Sequence, residues 1–526
     1  MIHNKNRRRD TAVLLLCAVL LLCCITTACQ PTPAEPVVIN KSGGISAEMI
    51  ADPLPQGTVK ELDAPQHWKE TMTRQEGRIE INADVDVTIP ENLSNTPVYK
   101  LEQVALTPER LKELVNYFVG SSQLYRPLPM TKLEGMRQLD KLQDPTTSYG
   151  KYNNDAKSKM SRALQQMIDD APDEAQKQYT DLSFSLPYTT EYTRMLEAYL
   201  GRFTTPQAEN YVDVFAQTGE TYEPEICAST YDSTVGTSSF FSYSYPGSFY
   251  SETSMKVTKQ WNDSMYGSSF YKPTASDKEY LTAYNRFDAQ LSGVMDSITE
   301  DPDQALSTAR HVLEDLGITE VGPHSIEKVV WLPRQPQEWD EFSTPVDQAV
   351  GGYNITFTRS AGQLTGLRLS YIGLSAGDML SYAPPFRVEQ VSMFVNNGKV
   401  LGFGWQDMAQ TVETVAENTK LLPFDEIKER LADFLAYNFT YDKTDKRFEG
   451  YSVKFNIIDA QLCSSLITAK DDPYKAWLVP AWLFRCQIVF SKDNKDDPPE
   501  ADYPCEINAL DGGIIIPLDA NTIVSD

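Results

Sequence analysis

Residues 301–317 read Asp301-Pro302-Asp303-Gln304-Ala305-Leu306-Ser307-Thr308-Ala309-Arg310-His311-Val312-Leu313-Glu314-Asp315-Leu316-Gly317. Asp301 and Pro302 open a helix there, the apolar residues from Ala305 to Leu316 recur at helical spacing, and Gly317 stops it. Beyond Gly317 the pattern turns to strands, expected at residues 328–332, 353–358, 367–372 and 388–394. The last pairs with 400–405 across Asn396-Asn397-Gly398-Lys399, a hairpin signal. A second helix is expected over 424–435, with Ile427, Leu431, Phe434 and Leu435 inward. Strands at 451–458, 477–490 and 505–516 follow it. Helix then antiparallel strands, twice over, predicts an α+β fold of mainly antiparallel sheets with packed helices, not a doubly wound sheet.

Upstream, residues 78–89 alternate, with Ile79, Ile81, Ala83, Val85, Val87 and Ile89 on one side, as a half-buried strand does. A strand over 98–106 leads to Thr107 as N-cap, Pro108 in the first turn, and Leu111, Leu114, Val115 and Phe118 at helical spacing before Gly120. A longer amphipathic helix is expected over 155–168. A hairpin over 211–229 turns at Gln217-Thr218-Gly219-Glu220. Residues 229–274 then interleave aromatic rings with Ser, Thr and Gly. Such a segment suits a carbohydrate or peptide surface, for which Phe240, Phe241, Tyr243, Tyr245 and Trp261 are the candidates. Strand pairs or a long ordered loop with aromatic anchors account for the same composition.

The N-terminus carries Lys5, Arg7, Arg8 and Arg9, an apolar run from Thr11 to Ile25, then Thr26, Thr27, Ala28 and Cys29 before a proline-rich polar stretch. This order is that of an export signal, and its end resembles a lipobox, with Thr26 where leucine is usual. The expectation is a signal peptide over 1–28 and a fatty-acyl anchor of the palmitate kind on Cys29. Ordinary cleavage after Ala28 and an uncleaved signal anchor are the other readings. Residues 29–66, with their prolines and no apolar period, read as a flexible tether. Two α+β domains are then expected, 67–300 and 301–526, since so long a chain exceeds one core.

The net charge is −26; loss of residues 1–28 removes four basic residues and Asp10 and leaves −29. That acidity disfavours nucleic acid and anionic lipid as partners. After the signal and Cys29, the cysteines are Cys227, Cys463, Cys486 and Cys505. Four allow three pairings; Cys463, Cys486 and Cys505 fall on consecutive expected strands where neighbours could bridge, and free buried thiols are the alternative. With no Cys-x-x-Cys and with His67, His311 and His324 far apart, no metal or cofactor is expected.

The run Tyr474-Lys475-Ala476-Trp477-Leu478-Val479-Pro480-Ala481-Trp482-Leu483-Phe484, followed by Ile507-Asn508-Ala509-Leu510-Asp511-Gly512-Gly513-Ile514-Ile515, resembles PepSY-like extracytoplasmic modules. With Cys29-Gln30-Pro31-Thr32-Pro33 and Ala64-Pro65-Gln66-His67-Trp68, the whole chain resembles an uncharacterised family of Gram-positive surface lipoproteins. The resemblance implies a sheet module with inhibitory, sensory or partner-binding roles, and it transfers no catalytic residue.

No nucleophile elbow, zinc-protease helix, P-loop or EF-hand pattern is present. The acidic run 493–497 lacks the ligand spacing of a calcium cage. The function expected is a lipid-anchored extracytoplasmic binding or regulatory module for a peptide, a wall component or a sensor protein. The alternative is a surface hydrolase of wall glycan or peptide using paired carboxylates.

Overall fold

The computed structural model describes residues 45–143, 154–184, 211–230, 238–267, 272–333, 346–366, 386, 388–439, 450–468, 475–492, 495–496 and 503–515. Cys29 and the strand expected at 367–372 lie outside the described residues.

In chain order the elements are β1 (His67–Arg74), β2 (Ile79–Thr88), β3 (Val98–Gln103), α1 (Pro108–Val119), β4 (Gln123–Tyr125), α2 (Lys132–Gln143) and α3 (Asn154–Asp170). Next come β5 (Tyr211–Gln217), β6 (Glu225–Ser229), β7 (Phe240–Ser244), β8 (Gly247–Ser251), α4 (Glu252–Gly267), α5 (Ala275–Asp296) and α6 (Pro302–Asp315). They are followed by β9 (Val321–Pro333), β10 (Val350–Ala361), β11 (Leu364–Thr365), β12 (Gln390–Asn396), β13 (Lys399–Gln406), β14 (Ala409–Ala416) and α7 (Phe424–Asn438). β15 (Tyr451–Thr468), β16 (Lys475–Lys492), β17 (Lys495–Asp496), β18 (Tyr503–Asn508) and β19 (Ile514–Ile515) close the chain. The class is α+β, as the alternation of periods predicts.

One sheet runs β4-β5-β6-β7-β13-β12-β10-β9-β8, with β11 on β10. The other runs β1-β2-β15-β16-β18-β19, with β3 joining β16 to β14 and β17 on β16. Every pairing of named strands is antiparallel except β2 with β15. In the ten-stranded sheet, α1 with the meander β4 to β7 and α6 with the meander β9 to β13 meet at their last strands, β7 against β13. Both helices cover the same face. Leu111, Leu114 and Val115 of α1 share a core with Ala305, Ala309 and Val312 of α6. Tyr117 donates to Asp315 at 2.9 Å, and the Arg110 guanidinium donates to the Leu316 carbonyl. On the nine-stranded sheet, α7 buries Phe424, Ile427, Leu431 and Leu435 against Ile79, Ile81, Phe455 and Phe484.

Local signals hold where they are strong. The Thr107 hydroxyl accepts from Arg110 N at 3.2 Å at the start of α1, and Gly120 ends it at φ +60°. Thr107→Ala removes that acceptor, and its expected cost is about 1 kcal/mol, read as a lower denaturant midpoint with unchanged slope. Asn397 and Gly398, at φ +48° and +73°, form the turn between β12 and β13. Gly512 sits at φ +70° between β18 and β19, so the strand expected over 505–516 is two short strands around a turn.

The boundary expected at residue 300 is corrected by the topology. β9 to β13 complete the sheet begun by β4 to β8, whereas β14 to β19 complete the sheet begun by β1 to β3. The ten-stranded unit, residues 104–408, is therefore inserted between β3 and β14. Its two ends run side by side: Val104 N donates to the Met408 carbonyl at 2.9 Å. Buried Ser239 fastens them: its hydroxyl donates to the Val104 carbonyl at 2.7 Å and accepts from Leu106 N at 2.9 Å, and its carbonyl accepts from Met408 N at 3.5 Å. Adjacent ends are what an inserted domain requires.

Part of the stretch expected to be a flexible tether is ordered structure. Residues 45–66 are laid against the nine-stranded sheet, with Lys60 N bonded to the Leu93 carbonyl at 2.7 Å and a bridge between Ile50 and Thr419. Ile45 and Met49 pack on one side of the sheet, Leu62 and Ala64 on the other. Single apolar anchors on irregular backbone leave no period to read. Among the described residues no helix is long and apolar enough to cross a membrane.

Candidate functional site: a cavity beneath the N-terminal segment

The aromatic residues expected to form one surface are divided by the pleat. Phe241 and Tyr243 point into the core, where Phe118 stacks on Tyr243 at 4.8 Å and lies tilted against Phe403 at 4.9 Å. They are corrected to core residues: β7 lies between β6 and β13, so alternate side chains meet the α1 and α6 layer. Phe240 is half-buried on the opposite face beside Tyr211. Tyr245 donates to Glu220 at 2.5 Å. Trp261 is exposed on α4, a different element. The strand-pair reading of this segment is the one observed, together with a helix that its Ser and Thr content concealed.

All four described cysteines are free. Cys463 donates to the Ala481 carbonyl at 3.2 Å and packs on one side of the nine-stranded sheet, whereas Cys486 and Cys505 pack on the other. Cys486 opposes Tyr503 and Cys505 opposes Phe484, so these two are diagonal neighbours. Their thiols are in hydrogen-bonding contact and both are free, so the free-thiol alternative is the one observed. In the acidic run, Asp496 is held by Lys454 at 2.9 Å and by Ser491; Asp493, Asn494 and Asp497 lie outside the described residues.

The site that sequence reasoning missed is a cavity of about 540 Å³ between residues 51–64, the connection from β14 to α7, and Trp482 of β16. One wall is a polar network. Asn418 Oδ1 accepts from Thr96 N at 3.1 Å, Asn418 Nδ2 donates to the Asp52 carbonyl at 2.9 Å, and the Thr96 and Thr419 hydroxyls lie 2.9 Å apart. Lys60 reaches into this wall, its ammonium donating to Asn418 Oδ1 at 2.7 Å and to the Thr419 carbonyl at 2.6 Å. Burial lowers the pKa of that ammonium. Leu54, Val59, Leu421 and Leu422 supply apolar lining.

Trp482 is 2% exposed, and its ring sits edge-on to Phe424 at 5.0 Å. Its indole N–H has no acceptor. A buried donor left unsatisfied costs about 1–3 kcal/mol. The Val-Pro-Ala-Trp motif marked this residue in the sequence, but nothing there places residues 51–64 over it.

A second polar cluster lies on β5 and β6, where Asp213, Glu225 and Cys227 bring potential metal-ligand atoms within 4.8 Å of one another. Burial, then Glu225, pushes the Asp213 carboxyl up to about 7, and burial pushes the Cys227 thiol up as well. A cation bound there would have to displace those protons, because ligands bind metals deprotonated.

No family model matches the chain, and no curated protein does. Among solved structures, an uncharacterised protein from Eubacterium rectale ATCC 33656 is similar over 86% of this chain and 94% of its own, at 10% identity and a TM-score of 0.37. The Bacillus megaterium YpeB C-terminal domain is similar over 62% of this chain and 96% of its own, at 12% identity and a TM-score of 0.16. Scores this low carry neither fold nor function from one protein to the other.

Proposed function

We propose that the chain is a lipoprotein held at the outer face of the cytoplasmic membrane by a lipid on Cys29, and that it serves as a binding or regulatory module for a peptide or wall component. In this reading the sheet around Trp482 is a PepSY-like module. The observation that carries the binding role is the cavity, which joins an apolar lining to a half-buried ammonium. Pockets that mix apolar walls with a few placed polar groups are the usual form of a ligand site.

Two measurements test it. The mature chain from its own cells is expected to begin at Cys29 with added acyl mass and to sediment with membranes, while Cys29→Ala is expected to remain unacylated and leave that fraction; an unmodified soluble native chain would sink the anchor. Native mass spectrometry of the same material should find a non-covalent ligand that Lys60→Met weakens or loses. A protein that emerges bare in every preparation argues against a resident binding site.

The hydrolase reading has one observation in its favour, the Asp213 and Glu225 pair with its raised carboxyl. It requires that Asp213→Asn abolish a wall-degrading activity of the wild type.

A further inference from the structure

A smaller cavity, of about 150 Å³, lies between α4, α5 and β8 and is lined chiefly by Tyr250, Met255, Tyr280, Tyr284, Phe287 and Asp288. We propose that it takes a quaternary ammonium group, held by the aromatic rings and the Asp288 carboxylate.

The rings come from two elements. Tyr280 and Tyr284, one turn apart on α5, lie nearly parallel at an interplanar angle of 15°, and Phe287 stands edge-on to Tyr250 of β8 at 5.3 Å. Ring faces carry negative potential, and a cation within about 6 Å of a ring centroid is attracted to it. A cavity of ~150 Å³ holds a group about the size of benzene, so an occupant of that size sits against several of the four rings at once.

The polar groups set the sign of the charge. Three hydroxyl protons are already committed to backbone carbonyls: Ser254 donates to Ser251 at 2.9 Å, Thr258 to Ser254 at 2.9 Å and Tyr284 to Met255 at 3.3 Å. Those oxygens are left as acceptors. Asp288 adds a half-buried carboxylate with no hydrogen-bond or ion-pair partner among the described residues, and no described Lys, Arg or His lines the cavity. Burial, then the Asp288 charge, pushes the Tyr284 phenol up to about 12. Such a lining repels an anion. Among cations it suits one without N–H groups. A primary ammonium gives up strong hydration and needs several acceptors aimed at it, whereas methyl groups pack on Met255, Phe287 and Leu291 while the charge stays near Asp288.

Titration calorimetry of the full chain in a non-ionic detergent tests this with choline, its uncharged isostere dimethylbutanol and its primary-amine counterpart ethanolamine. Choline is expected to bind saturably, and the other two about tenfold more weakly or worse. Tyr280→Leu and Asp288→Asn, at half-buried positions, should each weaken choline by about tenfold with the circular dichroism unchanged. Glycerophosphocholine separates the sources of the group: binding as tight as choline's assigns a lipid or polymer head, and its exclusion a free solute. Equal binding of dimethylbutanol overturns the cation and leaves an apolar pocket. Equal binding of ethanolamine overturns the quaternary class, and absence of saturable choline binding overturns the site. The cavity beneath residues 51–64 is separate, so any of these failures leaves the binding reading above to its own test.

Discussion

Arg359→Ala is expected to destabilise the protein by about 3–5 kcal/mol, the cost of leaving one member of a buried ion pair without its partner. Arg359 is 5% exposed and Glu389 2% exposed. The guanidinium Nε donates to Glu389 Oε2 at 2.6 Å, while its other nitrogens donate to Glu320 and to the Ala409 carbonyl. Glu389 also accepts from Trp405 Nε1 at 2.8 Å and from Ala409 N at 3.3 Å. Burial pushes the Glu389 carboxyl up, and the Arg359 charge and the Trp405 N–H draw it back. Arg359 belongs to β10 of one sheet and Ala409 opens β14 of the other, so the pair lies where the inserted unit rejoins its host.

The double variant Arg359→Met with Glu389→Gln keeps an acceptor for Trp405 and Ala409 and buries no lone charge. It should lose less stability than Arg359→Ala. Denaturant midpoints of both variants at neutral pH check this. A double variant as weak as the single one would show that the charge itself is not what the junction needs.

Glu506→Gln should change how stability depends on pH. Glu506 of β18 is 2% exposed, opposes Leu483 and Ile515, and is reached by the Ser465 hydroxyl. Burial pushes its carboxyl up to about 7, with the Ser465 bond opposing. The folded state therefore holds this proton more tightly than the unfolded chain does. Between the ordinary carboxylate range and pH 7 the folded form binds more protons, so this group's contribution is full at low pH and is lost as pH rises to about 7. The whole change is on the order of 3 kcal/mol. Glutamine stays neutral, so the variant should gain stability over the wild type as pH rises from about 4.5 to 8. Paired unfolding curves across that range give the difference directly. A difference that does not vary with pH would falsify the assignment to Glu506.

Much of the fold was legible because some local signals are set within a few residues. Thr107 and Pro108 start α1, Asn397 and Gly398 turn β12 into β13, and the alternation from Ile79 to Val87 makes β2; each depends on backbone geometry its own residues impose. Elements whose sequence matches several structures were missed. α4 and α5 are rich in Ser, Thr and Tyr, and α5 is started by a capping box of Thr274 with Asp277. β14 alternates poorly and gains its place only by pairing with β3.

The site was less legible than the fold. Trp482 stood out in its motif, but Lys60 is one lysine among many until residues 51–64 cross the sheet. The aromatic cluster misled for a related reason: composition counts rings, while the pleat of β7 decides which of them face the core.

By itself the sequence determined the α+β class, the caps and turns, the acidity and the signal-like N-terminus, all properties of neighbouring residues or of totals. Only the tertiary structure decided that the two sheets are nested, that Cys486 and Cys505 are diagonal, and that a cavity joins residue 60 to residue 482. These depend on which strands pair across hundreds of residues. Strand pairing is fixed by burial and backbone hydrogen bonds that any apolar, β-forming segment can supply, so the choice among partners is made only when the whole chain packs.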